Sequence, residues 1–311
     1  MLWPGGPRAS AVVRTRLIDD LLGAALAGGA RQVVLLGAGY DSRAYRLPAA
    51  RRATVFEVDH PATQERKRRL VERAVPAGER AHVRFVPADL KEADLASLLR
   101  DAGVRQERTA VVWEGVTNYL DARSVDAAFT ALAGVTAPGS RVIFTYMDRR
   151  ALDGSGTFTG IAEWAASVSA AGEPFTFGLL PDELPGHLAE QGLSLVIDRS
   201  AREAAADYLA PLGRAEPAAP FYHVAEAEVP SAEGQRGAPA GAPPGDPRRR
   251  RALLRPRRIP PDDDPGHRRG VRAESRPGLP LLRRQGRRDH RDRRPVARGP
   301  GRAPARGRSR R

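Results

Sequence analysis

Short apolar runs alternate with amphipathic, charged segments along the first 230 residues of the chain. Leucines and alanines recur at helical spacing in residues 16–27, and the glycine pair that follows is a common helix stop. The later apolar runs are short and end near glycine, proline or acidic residues, which is typical of buried strands. The pattern predicts helices over residues 16–27, 61–74, 92–103, 124–135, 181–191 and 201–209. It predicts strands within residues 32–39, 53–61, 81–90, 109–120, 139–147, 193–198 and 221–229.

Alternation of this kind indicates a parallel sheet that is covered by helices on both faces. Right-handed crossovers make such a sheet doubly wound. The predicted fold class is therefore α/β, with a Rossmann-like, doubly wound sheet of seven mostly parallel strands over residues 1–230. Ligands of such sheets bind outside the carboxyl ends of the strands, near the point where the strand order reverses.

Acidic residues stand at the ends of three successive predicted strands. The first strand ends in a glycine turn over residues 37–39, and the next three strands end in Asp59, Asp89 and Glu114. Because the carboxyl ends of parallel strands meet at one edge of the sheet, we expect these carboxylates to share a rim with the glycine turn. A glycine turn alone would be a weak indication of a ligand, since any tight strand-to-helix turn can use one. The combination favours a nucleotide-like cofactor.

Two cofactors are compatible with this rim, NAD and S-adenosylmethionine. Asp59 can accept hydrogen bonds from the ribose hydroxyls of either cofactor. A dinucleotide site would have a third glycine where the chain has Ser42, and Asp41 is unfavourable next to a pyrophosphate. Asp89 can accept from the exocyclic amine of adenine, and the backbone N–H of Leu90 can donate to the adenine ring. These residues favour S-adenosylmethionine, whose sulfonium and ammonium groups are cationic.

Charge divides the chain into two parts. Residues 1–230 hold 26 basic and 29 acidic residues, whereas residues 231–311 hold 25 basic and 8 acidic residues, so the net charge of +14 arises in the tail. The tail lacks aromatic residues and is rich in Pro, Gly and Arg, a composition that cannot bury enough apolar surface to fold. We therefore predict a disordered tail. It is either a frameshifted or read-through extension, or a basic arm that binds nucleic acid non-specifically.

The composition also restricts the class of protein. The chain has no cysteine, which excludes disulfides, thiolate catalysis and sulfur-bound zinc. No segment approaches the ~20 apolar residues of a membrane span. The amino terminus lacks the pattern of a signal peptide. We expect a cytoplasmic protein with neither a membrane partner nor a metal site.

Five segments resemble, in order, the successive motifs of a known family. They are "VVRTRLIDDLL", "QVVLLGAGYDSRAYRL", "FEVDHPATQERKR", "VPADL" and "VWEGVTNYL". Together they resemble the class I methyltransferases related to leucine carboxyl methyltransferase, a branch common in actinobacteria. The resemblance extends over about residues 12–229. It implies a class I fold, S-adenosylmethionine as the cofactor and methyl transfer as the activity.

The resemblance also implies roles for single residues. Arg16 would pair with the carboxylate of the cofactor's methionine part, a bidentate contact that suits a guanidinium. Gly37 and Gly39 would line the methionine and ribose portion, and Glu114 would face the methionine ammonium or the ribose. The other implied contacts are Asp59 at the ribose and Asp89 with Leu90 at the adenine.

Each role has a simpler alternative. Arg16 could be a solvated helix residue, and Asp89 could cap the helix that follows it. Glu114 is harder to explain in this way, because a carboxylate directly after a buried strand needs a partner if it is itself buried.

The implied acceptor site lies just beyond Glu114, where Tyr119 is the candidate residue at the acceptor. A general base helps when the acceptor is a hydroxyl and is hardly needed for a carboxylate. We therefore expect O-methylation of a small-molecule hydroxyl or of a carboxylate. The alternatives are a protein that binds S-adenosylmethionine without catalysis and an NAD-dependent oxidoreductase. A nucleic-acid methyltransferase that uses the basic tail is disfavoured, because residues 1–230 have no basic face.

Overall fold

The computed structural model describes residues 6–158, 160–161, 164 and 175–231. The predicted tail over residues 231–311 lies outside the described residues apart from its first residue. Its disorder and its boundary at residue 230 therefore remain predictions.

Seven strands form one sheet. They are β1 Gln32–Leu36, β2 Thr54–Asp59, β3 Val83–Pro87, β4 Thr109–Trp113, β5 Arg141–Met147, β6 Ser194–Ser200 and β7 Tyr222–Glu228. Their order in the sheet is β3-β2-β1-β4-β5-β7-β6. The pairs among β1 to β5 are parallel, and β7 runs antiparallel to both of its neighbours. The predicted fold class, a doubly wound and mostly parallel sheet of seven strands, is confirmed.

Helices connect the strands. They are α1 Gly6–Ala27, α2 Arg43–Arg46, α3 Pro61–Ala74, α4 Ala77–Arg80, α5 Leu95–Asp101, α6 Ala122–Val135, α7 Arg149–Leu152, α8 Leu184–Glu190 and α9 Ala201–Tyr208. Short 3-10 helices cover Ala50–Arg52, Thr117–Tyr119 and Ala210–Leu212. The described helices include none that is both long and apolar enough to cross a membrane.

Local sequence signals set several of the helix starts. Pro61 opens α3, where its missing N–H costs nothing. Asp121 accepts a hydrogen bond from the Ser124 N–H at the start of α6. Ser200 and Glu203 form a capping box at the start of α9. Each cap satisfies backbone donors that the first helical turn leaves unpaired.

The helix α1 begins ten residues earlier than the sequence analysis predicts. Ala9, Val13, Leu17 and Leu21 are all buried and recur every four residues, so the apolar face extends back into the first turns. This helix contacts β4, β5 and β7 and packs against α9. It therefore covers the sheet at β4, β5 and β7, and β4 leads into the site described below.

The largest apolar cluster lies on the sheet face that is covered by α5, α6 and α8. Phe129 of α6 is at its centre, with its ring 5.4 Å from Trp113 and 4.9 Å from Phe144 in edge-to-face geometry. All three side chains are fully buried. Burial of each contributes about 1.5–3 kcal/mol. This packing fixes β4 and β5 and so fixes the position of the residues at their ends.

Candidate functional site

A cavity of about 370 Å³ opens at the carboxyl edge of the sheet, between the ends of β1 and β4. The strand order reverses at this place, because β1 pairs with β2 on one side and with β4 on the other. Doubly wound sheets bind their ligands at such a point. The volume lies within the roughly 300–1,000 Å³ that is usual for ligand pockets. The walls are residues 35–43 and 46, Arg14 and Thr15 of α1, and Val112 and Glu114 of β4 and its end.

The glycine turn after β1 forms the floor of this cavity. Gly37 has a φ of 67°, and a Cβ atom added there would lie 2.4 Å from Cγ2 of Val116. Gly39 has a φ of 42°, again in the left-handed region that favours glycine. The N–H of Gly39 donates to Oδ2 of Asp59 at 2.8 Å. Two of the predicted site residues, Gly37 and Gly39, thus line the cavity, and Asp59 anchors the turn from β2.

A buried arginine that sequence analysis missed organises one wall. Arg43 is 3% exposed, and its Nε donates to Oδ1 of Asp19 at 2.7 Å. Its Nη1 donates to Oδ2 of Asp41 at 2.7 Å and to Oε2 of Glu114 at 2.6 Å. Burial opposes the charge of Arg43, but Asp41 and Glu114 outweigh it and raise the pKa above its ordinary value. Because Arg43 neutralises Asp41, the charge of Asp41 alone is not sufficient to exclude a ligand with a phosphate group, such as a dinucleotide.

Glu114 holds a second arginine as well. The Nε of Arg14 donates to its Oε1 at 2.6 Å. Burial would raise the pKa of Glu114, but Arg14 and Arg43 lower it below the ordinary value, so this carboxylate stays ionised. The guanidinium carbon of Arg14 lies 5.0 Å from the ring centroid of Tyr222. Within the described part of the chain, the Nη atoms of Arg14 have no hydrogen-bond partner.

Arg16, the arginine that the resemblance suggests for carboxylate binding, lies elsewhere. Its side chain is 55% exposed and pairs with Asp20 one helical turn later, at 3.2 Å. It does not belong to the residues that line the cavity. Arg14, two residues earlier on the same helix, occupies the position beside Glu114. The signal for Arg14 is present in the sequence, because the apolar spacing of α1 continues back through Val13.

The acidic residues after β2 and β3 lie on the more open half of the rim. Asp59 is partly buried, and its Oδ1 accepts from the N–H of His60 at 2.8 Å. Asp89 is exposed, and its Oδ1 accepts from the N–H of Lys91 at 3.0 Å. Leu90 is partly buried and packs against the large apolar cluster. The helix α5 is capped by Asp94 and not by Asp89, so the simpler alternative for Asp89 is wrong. Asp89 instead closes a local turn, and its carboxylate remains open to solvent.

Tyr119 lies in the 3-10 helix that follows β4. Its ring is 5.8 Å from that of Phe175. The neighbouring carbonyl of Asn118 accepts from the N–H of Thr176 at 2.8 Å. Tyr119 therefore lies beside Phe175 and Thr176, on the same edge of the sheet as Glu114.

The wall combines cationic and anionic side chains, a composition that suits the carboxylate and ammonium of an amino-acid group. The unused N–H donors of Arg14 suit a carboxylate. The wall also holds three carboxylates, Asp19, Asp41 and Glu114, which are balanced by three arginines. A zwitterion can share such a network without leaving a net charge buried.

Comparisons with known proteins agree with this chemistry. The profile of the family described as leucine carboxyl methyltransferase matches residues 5–133. A Mycolicibacterium smegmatis protein named "Putative S-adenosyl-L-methionine-dependent methyltransferase" is 41% identical over 162 residues, which is 51% of this chain and 53% of that protein. A Streptomyces coelicolor protein of the same name is 38% identical over 190 residues, 59% of this chain and 62% of that protein. The chain spans about half the length of the curated relatives that it matches first.

Among solved structures, an O-methyltransferase family protein from Burkholderia thailandensis is 19% identical, with a TM-score of 0.47. The likeness covers 72% of this chain and 59% of that one. The family profile covers the part of the chain that builds the glycine turn, Asp59 and Glu114. Residues 5–133 of the chain are therefore similar to the leucine carboxyl methyltransferase family.

Proposed function

We propose that this protein is an S-adenosyl-L-methionine-dependent methyltransferase that methylates an oxygen atom of a small molecule or of a carboxylate. The observation that carries the proposal is the pairing of Arg14 with Glu114 in a cavity whose floor is the Gly37–Gly39 turn. The sequence relatives support the same cofactor, because they are named for it, and the family profile that matches residues 5–133 is that of a methyltransferase.

The residues of the cavity fit this cofactor on chemical grounds. The Nη donors of Arg14 would bind its carboxylate, and the acidic network around Glu114 would accept from its ammonium group. Asp59 is held by the N–H groups of Gly39 and His60, so it is already oriented to accept from ribose hydroxyls. Asp89 and Leu90 would contact the adenine at the open end of the rim. In this assignment Arg14 takes the role that the resemblance suggests for Arg16.

The bound cofactor supplies a methyl group that is already activated on a sulfonium. The protein then has to orient the acceptor in line and exclude water from it. Tyr119 is our candidate for the residue that borders the acceptor, since it follows β4 on the same edge as Glu114. Its role is to position the acceptor and not to remove a proton.

The state of the carboxylates favours an acceptor that needs no general base. Every carboxylate among the described residues that line the cavity is paired with an arginine, and the pKa of Glu114 is lowered. A carboxylate kept ionised in this way is a weak proton acceptor. A carboxylate substrate is already ionised at neutral pH and is therefore the acceptor that we favour. The cytoplasmic location predicted from the sequence stays part of this proposal.

A calorimetric titration of the full chain with S-adenosylmethionine and, separately, with NADH tests the cofactor. We expect binding of the first and none of the second. Tight binding of NADH alone would contradict the proposal and favour an oxidoreductase.

Transfer of a radiolabelled methyl group to a panel of carboxylic acids, phenols and amines tests the reaction. We expect label on the carboxylic acids, as methyl esters that base releases. We expect no label on the amines, where the methyl group would be stable. Cofactor binding without transfer to any acceptor of the panel would favour a binding protein that lacks catalysis.

A further inference from the structure

A buried ion pair lies directly beneath the glycine turn, outside the residues that line the cavity. Glu57 of β2 and Lys67 of α3 approach to 2.7 Å between Oε2 and Nζ, and their side chains are 1% and 4% exposed. Lys67 is one of only two lysines in a chain with 49 arginines. A fully buried ion pair costs more in desolvation than it usually returns, so it is weak as a device for stability alone.

Tyr45 and Gln64 lie beside the buried pair. The ring centroid of Tyr45 is 6.0 Å from Nζ of Lys67, and Nε2 of Gln64 donates to the backbone carbonyl of Glu57 at 2.8 Å. Burial raises the pKa of Glu57, an effect that Lys67 opposes. Burial and the neighbouring Glu57 raise the pKa of the Tyr45 phenol. No atom of this group lines the cavity, so a direct contact with the cofactor is not its function.

The pair does reach the cavity through one backbone group. The Nζ of Lys67 donates to the carbonyl oxygen of Ala38 at 3.4 Å. The same oxygen accepts from the N–H of Asp41 at 2.8 Å. On the other side of the residue, the N–H of Ala38 donates to the carbonyl of Val58 at 3.0 Å. Ala38 is therefore fixed at both of its backbone groups, between two glycines that are free to adopt many conformations.

The carbonyl of Ala38 also connects the ion pair to the charged wall. Asp41, whose N–H it accepts, holds Arg43 through both carboxylate oxygens. Arg43 in turn holds Glu114. A change in the Ala38–Asp41 turn would thus displace the residues on which Arg14 and Glu114 depend.

We infer that Lys67 is a positioning residue for the cofactor site, which it serves by holding the Ala38 carbonyl and with it the glycine turn, while Glu57 holds the lysine in place through their ion pair. The inference rests on the proposed function, because it concerns how the same site binds S-adenosylmethionine. It adds a role for two residues that touch neither cofactor nor acceptor.

The test compares two variants that differ in the charge they leave buried. Lys67→Met alone strands the charge of Glu57 and is expected to unfold at a lower temperature. Glu57→Gln/Lys67→Met removes both charges, and we expect it to keep the melting temperature of the unchanged protein. Without the ammonium group, the double variant should bind S-adenosylhomocysteine about tenfold more weakly. Arg69→Met on the same helix, where the side chain is 70% exposed, is the matched control and should leave binding unchanged.

Hydrogen exchange of the Asp41 amide gives a second readout that needs no ligand. We expect exchange in the double variant to be about tenfold faster than in the unchanged protein. The reason is that the carbonyl of Ala38, which accepts from the Asp41 amide, is no longer held by Lys67. A double variant with unchanged binding and unchanged exchange would overturn the inference and leave the pair a structural element of the core. Failure of the unchanged protein to bind S-adenosylhomocysteine would contradict the proposed function instead, and that result does not depend on either variant.

Discussion

Acidic side chains in the two halves of the carboxyl edge differ in burial and in their hydrogen-bond partners. At the ends of β1 and β4, Glu114 is mostly buried and bonded to two arginines. At the ends of β2 and β3, Asp59 and Asp89 accept from backbone N–H groups and remain accessible. All three are acids placed at the end of a parallel strand or within two residues of it.

The difference comes from what covers each half. The helix α1 contacts β4, lines the cavity through Arg14 and Thr15, and brings Asp19 to the site. Carboxylates under this cover need cations, because burial without a partner is costly. The carboxylates of the half at β2 and β3 are accessible to water, so they need no cation as a partner. A closed half suits the charged amino-acid end of a ligand, and an open half suits the ribose and the base.

Removal of Arg43 should produce the largest effect. Arg43→Met leaves Asp19, Asp41 and Glu114 without their shared cation, and we expect a loss of about 3–5 kcal/mol in the free energy of unfolding. Urea unfolding at neutral pH measures it. Arg46→Met removes the exposed arginine that also contacts Asp19, and should cost no more than about 1 kcal/mol. Equal losses in the two variants would break the distinction between the closed half and the surface.

Glu226 shows what happens to a buried carboxylate that lacks a close cation. Glu226 of β7 is buried, and its nearest cation, Arg141, is 3.9 Å away, so burial raises its pKa to about 7. The folded state therefore holds a proton that the unfolded state releases near pH 4.5. The stability from this group is fully present below pH 4.5 and is lost as the pH rises through 7.

Glu226→Gln should remove this pH dependence. Relative to the unchanged protein, we expect the variant to be more stable above pH 7 by up to about 3 kcal/mol and similar below pH 4.5. Chemical unfolding between pH 4.5 and pH 8 measures the difference. An unchanged difference across this range would show that Glu226 is ionised throughout.

The two arginines of α1 should differ in their effect on binding. Arg14→Met is expected to weaken the binding of S-adenosylhomocysteine by about 2–3 kcal/mol, because it removes charge-assisted hydrogen bonds to the carboxylate. Arg16→Met breaks an exposed pair with Asp20 and should change binding by less than about 0.5 kcal/mol. Isothermal titration compares them. A larger loss of binding in Arg16→Met than in Arg14→Met would show that Arg16 binds the carboxylate of the cofactor.

The open half should give the smallest effects. Asp59→Asn is expected to weaken binding by about 1.5 kcal/mol, since it loses a charged acceptor for the ribose hydroxyls. Asp89→Asn should cost about 0.5–1 kcal/mol, because this carboxylate is exposed to water. The same titration decides the order. An effect at Asp89 larger than that at Asp59 would mean that the adenine end is the more enclosed.

The sequence was sufficient for the strands and the rim. Apolar runs that end in Gly37, Asp59 and Glu114 predict the strands. They also predict that these residues meet at one edge, because parallel strands all place their carboxyl ends at the same edge of the sheet. The glycine turn was readable for the same reason, since only glycine fits the backbone at Gly37 beside Val116.

The partners of these residues were not readable, because they come from distant segments. Arg43 follows Ser42 in an unremarkable charged stretch, and only the fold brings Asp19 and Glu114 to it. Arg14 was missed because the predicted start of α1 was too late, although the spacing of Val13 and Leu17 indicates the longer helix. Lys67 stood among the arginines of α3 with no signal of its burial except its rarity.

A crystal structure of the chain with S-adenosylhomocysteine tests the central claim most directly, since that claim concerns where each end of the cofactor lies. We predict the carboxylate of the ligand at the Nη atoms of Arg14 and its ribose hydroxyls at Asp59, with the glycine turn between them. A ligand whose carboxylate lies at Arg16, or that binds outside the cavity between β1 and β4, would contradict the account.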